Sequence, residues 1–250
     1  MRGYFLDVQG TLIDDKDFKP LNGALEFVKY LKENKIPFIF LTNNTKRPSD
    51  EFKEYLKDLG FEFENYLDPL MVLDDIVNFP VAAYGHEKFL NIIEKKYGLD
   101  YSNPEKIVLG IKLYSNEEFA DIIEMLLKGA QLVGMHKTSL YHKNGKRYPG
   151  LGAILEMLKY ATGRDYEVVG KPSFRFFKKA SDILKLSFDK ITIISDDLYG
   201  DVLPAMELGI EGVLVLSGKI KDEKEISQKP HKIFKNIGEY LEFIRTEKTN

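Results

Sequence analysis

Residues 4–12 read YFLDVQGTL. The β-branched and aromatic character of Tyr4, Phe5, Leu6 and Val8 is that of a buried strand, and a buried parallel strand delivers its functional group at its carboxyl end. That group is Asp7, set at the mouth of a Gly-Thr turn in which Gly10 can bring its backbone close to a ligand. Taken alone, the same DxxGT pattern also describes a turn in which Asp7 bonds its own backbone. Gln9 stands two positions on, where a second carboxylate would enlarge the chemistry open to the site.

Outward from this stretch, short apolar runs alternate with helical periodicity. A helix over residues 21–33, with Leu25, Val28 and Leu31 on one face, is followed by a strand over 36–41 and a helix over 48–59. The second half repeats the alternation: strands at 168–169, 191–194, 213–216 and 233–234, and helices at 174–184, 198–208 and 237–244. Helices placed between short apolar strands imply an α/β fold, a doubly wound parallel sheet covered on both faces. Between the halves, strands at 81–84, 107–113 and 131–135 and helices at 89–97 and 119–127 are enough for a separate α/β lobe. The expected organisation is a core domain of residues 1–78 and 168–250, with residues 79–167 inserted into it.

Composition narrows the function classes. With 250 residues, 44% of them hydrophobic and 30% charged, the chain can bury a sizeable core. A formal charge of -3 without a basic stripe disfavours nucleic acid and anionic membrane and leaves a small ligand as the expected partner. The absence of cysteine removes disulfides, thiolate catalysis and thiolate metal sites. Four scattered histidines do not make a zinc site. The sequence opens into a strand without a signal pattern and holds no long apolar stretch, so the expected location is the cytoplasm.

Four segments fall at strand ends: FLDVQGT, FIFLTNN with Thr42, Asn43 and Asn44, VVGKP with Lys171, and ITIISDDLYGD with Asp196, Asp197 and Asp201. In one open parallel sheet these ends share an edge where ligands bind. Carboxylates crowded there repel one another, and a hard divalent cation with oxygen ligands, most simply Mg²⁺, relieves the repulsion. Lysine supplies a compact charge for anionic oxygens, while a threonine hydroxyl and loop N–H groups donate to them. Together they describe a phosphoryl site. Read one at a time, Thr42 and Asn43 are turn formers, Asp196 and Asp201 are a cap and a first-turn acid of the helix from Leu198, and Lys171 is a solvated residue before Pro172.

The order DxxGT, hhhTNN, GKP and DDxxxD resembles the haloacid dehalogenase superfamily along essentially the whole chain. TNN with GKPxxxFF is similar to its class IIA phosphatases, the NagD-like nitrophenylphosphatase group. The stretches HKNGKRYPGLGAILEMLKYATG and VVGKPSFRFF resemble the subgroup that includes the phospholysine, phosphohistidine and inorganic pyrophosphate phosphatase. The resemblance implies a Rossmann-like core with a C2-type α/β cap, Mg²⁺ as cofactor, a small phosphorylated substrate, and room for a homodimer. It implies Asp7 as the nucleophile that becomes an aspartyl phosphate. Lys171 would steady it, Gln9 would offer its backbone carbonyl to Mg²⁺, and Gly10, Thr42, Asn43 and Asn44 would face the phosphate. Asp196 would bind the metal directly, with Asp201, or Asp197 in its place, completing the set directly or through water. Residues 135–146 of the cap, with His136, Tyr141 and His142, would select the substrate, although each aromatic can equally pack on a core.

Two positions depart from the family pattern. Ser195 stands where Gly usually precedes the metal-binding Asp, a tolerable change. Gln9 stands where an Asp normally serves as general acid and then as base. An amide transfers no proton, and losing such a group typically costs about 10²- to 10⁴-fold in rate. Slow turnover of ordinary esters is therefore expected, the alternative being an impaired relative that binds phosphorylated ligands without turning them over. The Asp14, Asp15 and Asp17 cluster reads as a solvated turn. Phe5, Phe38, Phe40 and Phe61 read as core, and residues 219–224 as a solvated loop.

Overall fold

The computed structural model describes residues 2–143 and 146–247. The chain divides into two compact units, the first made of Met1–Thr42, Asp50–Leu67 and Phe177–Asn250, the second of Asn43–Ser49 and Asp68–Phe176. The second contains all of residues 79–167 and adds residues on either side of them.

In the first unit, six parallel strands lie in the order β12-β11-β10-β1-β2-β3. They are β1 (Gly3–Asp7), β2 (Phe38–Leu41), β3 (Tyr66–Leu67), β10 (Ile191–Ser195), β11 (Glu211–Val215) and β12 (Lys232–Phe234). Every residue of β1, β2 and β10 is buried, which is why these strands read as continuous apolar runs instead of alternating ones. Neighbouring strand residues point to opposite faces, and the helices divide accordingly. Tyr4 meets Phe27 of α1 (Ala24–Glu33) and Tyr240 of α9 (Ile237–Glu247) edge-on, at ring centroid distances of 5.7 and 6.2 Å. Phe5 stacks on Phe177 of α7 (Phe174–Leu184) at 6.1 Å. Both faces of the sheet are thus covered.

The register brings the strand ends level. Asp7 lies beside Leu41, Leu6 beside Ile194, and Ser195 beside Leu214. The residues that follow these strands, Val8 to Thr11, Thr42, Asp196 and Leu216 to Lys219, therefore emerge at a single edge. The helix expected over residues 198–208 is two pieces: a wide turn of π type, Leu198–Val202, and then α8 (Leu203–Glu207), with a proline in its first turn. The wide turn keeps Asp201 buried beneath the edge.

The second unit has its own parallel sheet, ordered β4-β5-β6-β9. Its strands are β4 (Ala82–Tyr84), β5 (Lys106–Leu109), β6 (Gln131–Gly134) and β9 (Tyr166–Val168). Helices α4 (Glu87–Tyr97), α5 (Asn116–Leu127) and α6 (Leu151–Thr162) accompany it. Ser115 and Glu118 form a capping box that starts α5 by satisfying two otherwise orphaned N–H groups. One expectation is corrected here: the strand that leads to Lys171 belongs to this sheet and not to the one that carries Asp7. Tyr166, Glu167 and Val168 pair with Leu132, Val133 and Gly134. None of the three is fully buried, as suits the last strand of a small sheet and not the interior of a large one. Residues 135–146 include β7 (Leu140–Lys143), which pairs antiparallel with β8 (Lys146–Pro149), and Tyr141 stacks on Tyr148 at 5.5 Å. Residues 144–145 and the His142 side chain lie outside the described residues.

Candidate active site

The sheet edge of the first unit is organised around Thr11. Its hydroxyl donates to Asp7 Oδ2 at 3.1 Å and accepts the backbone N–H of Asp196 at 3.0 Å. One buried hydroxyl thus ties together the ends of two adjacent strands, β1 and β10, and fixes one oxygen of the Asp7 carboxylate. Asp7, Thr11 and Asp196 are all buried.

The turn that carries Thr11 needs a glycine at position 10. Gly10 has a φ of +79°, a left-handed conformation, and a Cβ there would sit 2.3 Å from Asp196 Oδ2. The absence of a side chain at Gly10 leaves the room that the Asp196 carboxylate occupies. The Gly10 carbonyl accepts the Ser217 hydroxyl at 2.7 Å, and a Cβ on Gly218 would meet Asp196 Oδ2 at 2.0 Å. The loop after β11 therefore packs directly against the site.

Carboxylates are concentrated at this edge. Burial first, and then the charge of Asp7, hold the Asp196 carboxyl well above the usual carboxylate range, against the opposing pull of Lys219. Asp201 Oδ2 accepts the Ser195 hydroxyl at 2.7 Å, and that same hydroxyl accepts the Asp197 N–H at 3.1 Å. Ser195, the departure from glycine, is thus put to use bracing two acids. Asp197 caps the wide turn by accepting the Gly200 N–H at 2.8 Å.

Gln9 and Thr42 meet directly, the Thr42 hydroxyl donating to Gln9 Oε1 at 2.6 Å. Asn43, Asn44 and Lys171 belong to the second unit. There Asn43 Oδ1 accepts the Lys171 N–H at 2.9 Å, and Lys171 is buried and joined to Pro172 by a cis peptide bond. The Asn44 side chain accepts from the Lys46 and Arg47 N–H groups and donates to the Arg47 carbonyl, bonds that shape its own turn.

Reading the sequence alone missed Lys219 and Ser217, grouped with or beside a solvated loop. Lys219 donates its N–H to Asp196 Oδ2 at 2.6 Å, and its ammonium pairs with Asp197. The available signal was position: Ser-Gly-Lys follows the end of β11, a neighbour of β10. In the acidic cluster, Asp14 and Asp17 accept N–H bonds from within their own turn. Asp15 differs, its carboxyl being pushed up by burial and by the charge of Asp7. The turn reading thus describes Asp14 and Asp17, while Asp15 feels the site. His136 is buried, with its Nδ1 against the Thr138 hydroxyl at 2.7 Å.

The donor set suits a hard cation. Among the described residues no three His, Asp or Glu side chains converge to enclose a metal by themselves. Two buried carboxylates, Asp7 and Asp196, lie at this edge, and the charge of Asp7 acts on Asp196. Mg²⁺, which retains water and takes one or two carboxylates, fits such a set better than a metal needing a full protein cage. Among the described residues no helix is long and apolar enough to cross a membrane.

Comparison with known proteins shows what the chain resembles. Residues 4–95 match the haloacid dehalogenase-like hydrolase family, and residues 168–240 match a second HAD-hydrolase-like family. The mouse haloacid dehalogenase-like hydrolase domain-containing protein 2 is 29% identical over 92% of this chain and 91% of its own length. The mouse phospholysine phosphohistidine inorganic pyrophosphate phosphatase is 28% identical over 90% of this chain and 86% of its own. The solved p-nitrophenyl phosphatase of Archaeoglobus fulgidus superposes with a TM-score of 0.81 at 27% identity, covering 97% of this chain and 98% of that one. The two family matches bracket the middle of the chain and carry the Asp7 strand in one and the Asp196 strand in the other. The chain belongs to the haloacid dehalogenase-like hydrolases.

Proposed function

We propose that the protein is a Mg²⁺-dependent phosphatase or phosphotransferase that works through an aspartyl phosphate on Asp7 and acts on a small phosphorylated substrate. The observation that carries this reading is the Thr11 bridge, which holds a buried nucleophile carboxylate beside a second buried carboxylate. The names of the relatives, a nitrophenyl phosphatase and a phospholysine, phosphohistidine and pyrophosphate phosphatase, agree with it. Residues 79–167 are proposed as the cap and residues 135–146 as its substrate-selecting part.

Asp7, the Gln9 carbonyl, Asp196 and Asp201, the last directly or through water, would hold Mg²⁺, which neutralises charge on the phosphoryl oxygens. An Asp7 oxygen attacks phosphorus as the bond to the leaving group breaks, and that group departs with the electron pair. Thr11 keeps the other Asp7 oxygen in place during the attack. Thr42 and the Asn43 N–H are proposed to hold phosphoryl oxygens, and Lys171 to balance their charge. Water then attacks the aspartyl phosphate, releases phosphate and restores the Asp7 carboxylate.

Gln9 limits both halves of this cycle. Alkoxide leaving groups need a proton that an amide cannot deliver, whereas nitrophenolate, acyl phosphates and protonated phosphoramidates leave with little help. Attack by water also lacks a base, so the phosphoenzyme is expected to be long-lived. The second reading, a binding protein without turnover, is favoured only by Gln9 and its bond to Thr42. Assay with Mg²⁺ against nitrophenyl phosphate, acetyl phosphate, pyrophosphate and sugar phosphates, beside Asp7→Asn, separates the two. Hydrolysis of the first two that vanishes in Asp7→Asn supports the enzyme; binding without hydrolysis of any of them supports the alternative.

A further inference from the structure

The Lys219 loop is not used by the chemistry above, yet it makes two contacts with the site's acids. Its backbone N–H donates to the buried Asp196 carboxylate, and its side chain, half exposed, places an ammonium on Asp197. Ser217 anchors the same loop to the Gly10 carbonyl, and Gly218 packs without a side chain against Asp196. The loop is thus held from two sides. Asp7, Asp196, Asp197 and Asp201 all lie in the unit that carries Lys219.

We propose that Lys219 is a positioning residue of the phosphoryl site. Its N–H aims the Asp196 carboxylate, and its ammonium is the resident cation that offsets the acid cluster while no divalent ion is bound. This inference rests on the reading of the site as a Mg²⁺ phosphoryl site. Its consequence follows from Coulomb's law: a positive charge paired with Asp197, next to Asp196 in the chain, lowers the attraction that a divalent ion feels there. Mg²⁺ affinity is therefore lower than the carboxylates alone would give. The metal-free fold is in turn relieved of repulsion that it would otherwise carry.

The test is a Mg²⁺ titration of wild type, Lys219→Gln, Lys219→Arg and Asp196→Asn, followed by calorimetry and by thermal melting in EDTA and in Mg²⁺. Because the Lys219 side chain is exposed, both of its variants should fold. Lys219→Gln is expected to bind Mg²⁺ about three- to tenfold more tightly, to melt lower in EDTA and to gain more from Mg²⁺. Lys219→Arg, which keeps the charge, should stay within about twofold of wild type. A role confined to structure would lower melting equally with and without Mg²⁺ and leave the affinity unchanged. Equal affinities for wild type and Lys219→Gln, or weaker binding by Lys219→Gln, overturn the proposal. If wild type binds Mg²⁺ and Asp196→Asn does not, the site reading stands whatever Lys219 does. If wild type binds none, both readings fall.

Discussion

Thr42 gives its hydroxyl hydrogen to Gln9 Oε1 at 2.6 Å. The residue proposed to hold a phosphoryl oxygen is thus bonded to the one that stands where the family keeps its acid. Replacing Gln9→Asp supplies a group able to protonate a leaving alkoxide and to activate water. Turnover of an ordinary sugar phosphate is expected to rise about 10²-fold or more, with a smaller gain on nitrophenyl phosphate. Steady-state kinetics on both substrates checks this. An unchanged rate on the sugar phosphate means that another group moves the proton.

Gly10 tolerates no side chain. Gly10→Ala combines a left-handed φ of +79° with a Cβ 2.3 Å from Asp196 Oδ2. The conformational part alone costs about 1–2 kcal/mol, so melting should fall by roughly 2–8 °C in a chain of this size. Because Asp196 must also move, Mg²⁺ should stabilise the variant less than it does wild type. Melting scans with and without Mg²⁺ read both effects.

Ser195 is fully buried and braces Asp201 and Asp197 with one hydroxyl. Ser195→Ala removes the donor to Asp201 and the acceptor for the Asp197 N–H. A loss of about 1–3 kcal/mol in unfolding free energy is expected, measurable by urea titration. Ser195→Gly, which restores the residue usual in the family, should lose a similar amount here.

Metal binding should depend on pH through Asp196. Burial and Asp7 raise its carboxyl in the folded chain, so the metal-free fold holds that proton more tightly than the unfolded chain does. The resulting stabilisation is complete below the ordinary carboxylate range and is lost as pH rises through the raised value. Mg²⁺ takes the ionised form, so its affinity should climb with pH over the same window and then level off. Calorimetry in two buffers of different ionisation heat should show proton release inside that window and none above it. A flat affinity would contradict this.

Much of the core could be read directly from residues. The β1 and β10 strands are unbroken apolar runs because both faces are covered, and the acids stand out at their ends. The strand before Lys171 was harder: Val168 and Val169 look like core, and only pairing with Leu132 to Gly134 assigns them to the second sheet. Lys219 was hidden among lysines and acids that resemble a solvated loop. Its role follows from β11 lying beside β10, a long-range pairing with no local signature. The Thr42–Gln9 bond likewise joins residues 33 positions apart that nothing in local pattern links.

Trapping of the phosphoenzyme tests the central claim most directly. Wild type mixed with acetyl phosphate or nitrophenyl phosphate and Mg²⁺, then quenched in acid, should carry phosphate on Asp7. The label should be stable to acid, released by hydroxylamine, and absent in Asp7→Asn and in EDTA. Wild type that hydrolyses these substrates yet never carries a label on Asp7 would contradict the account.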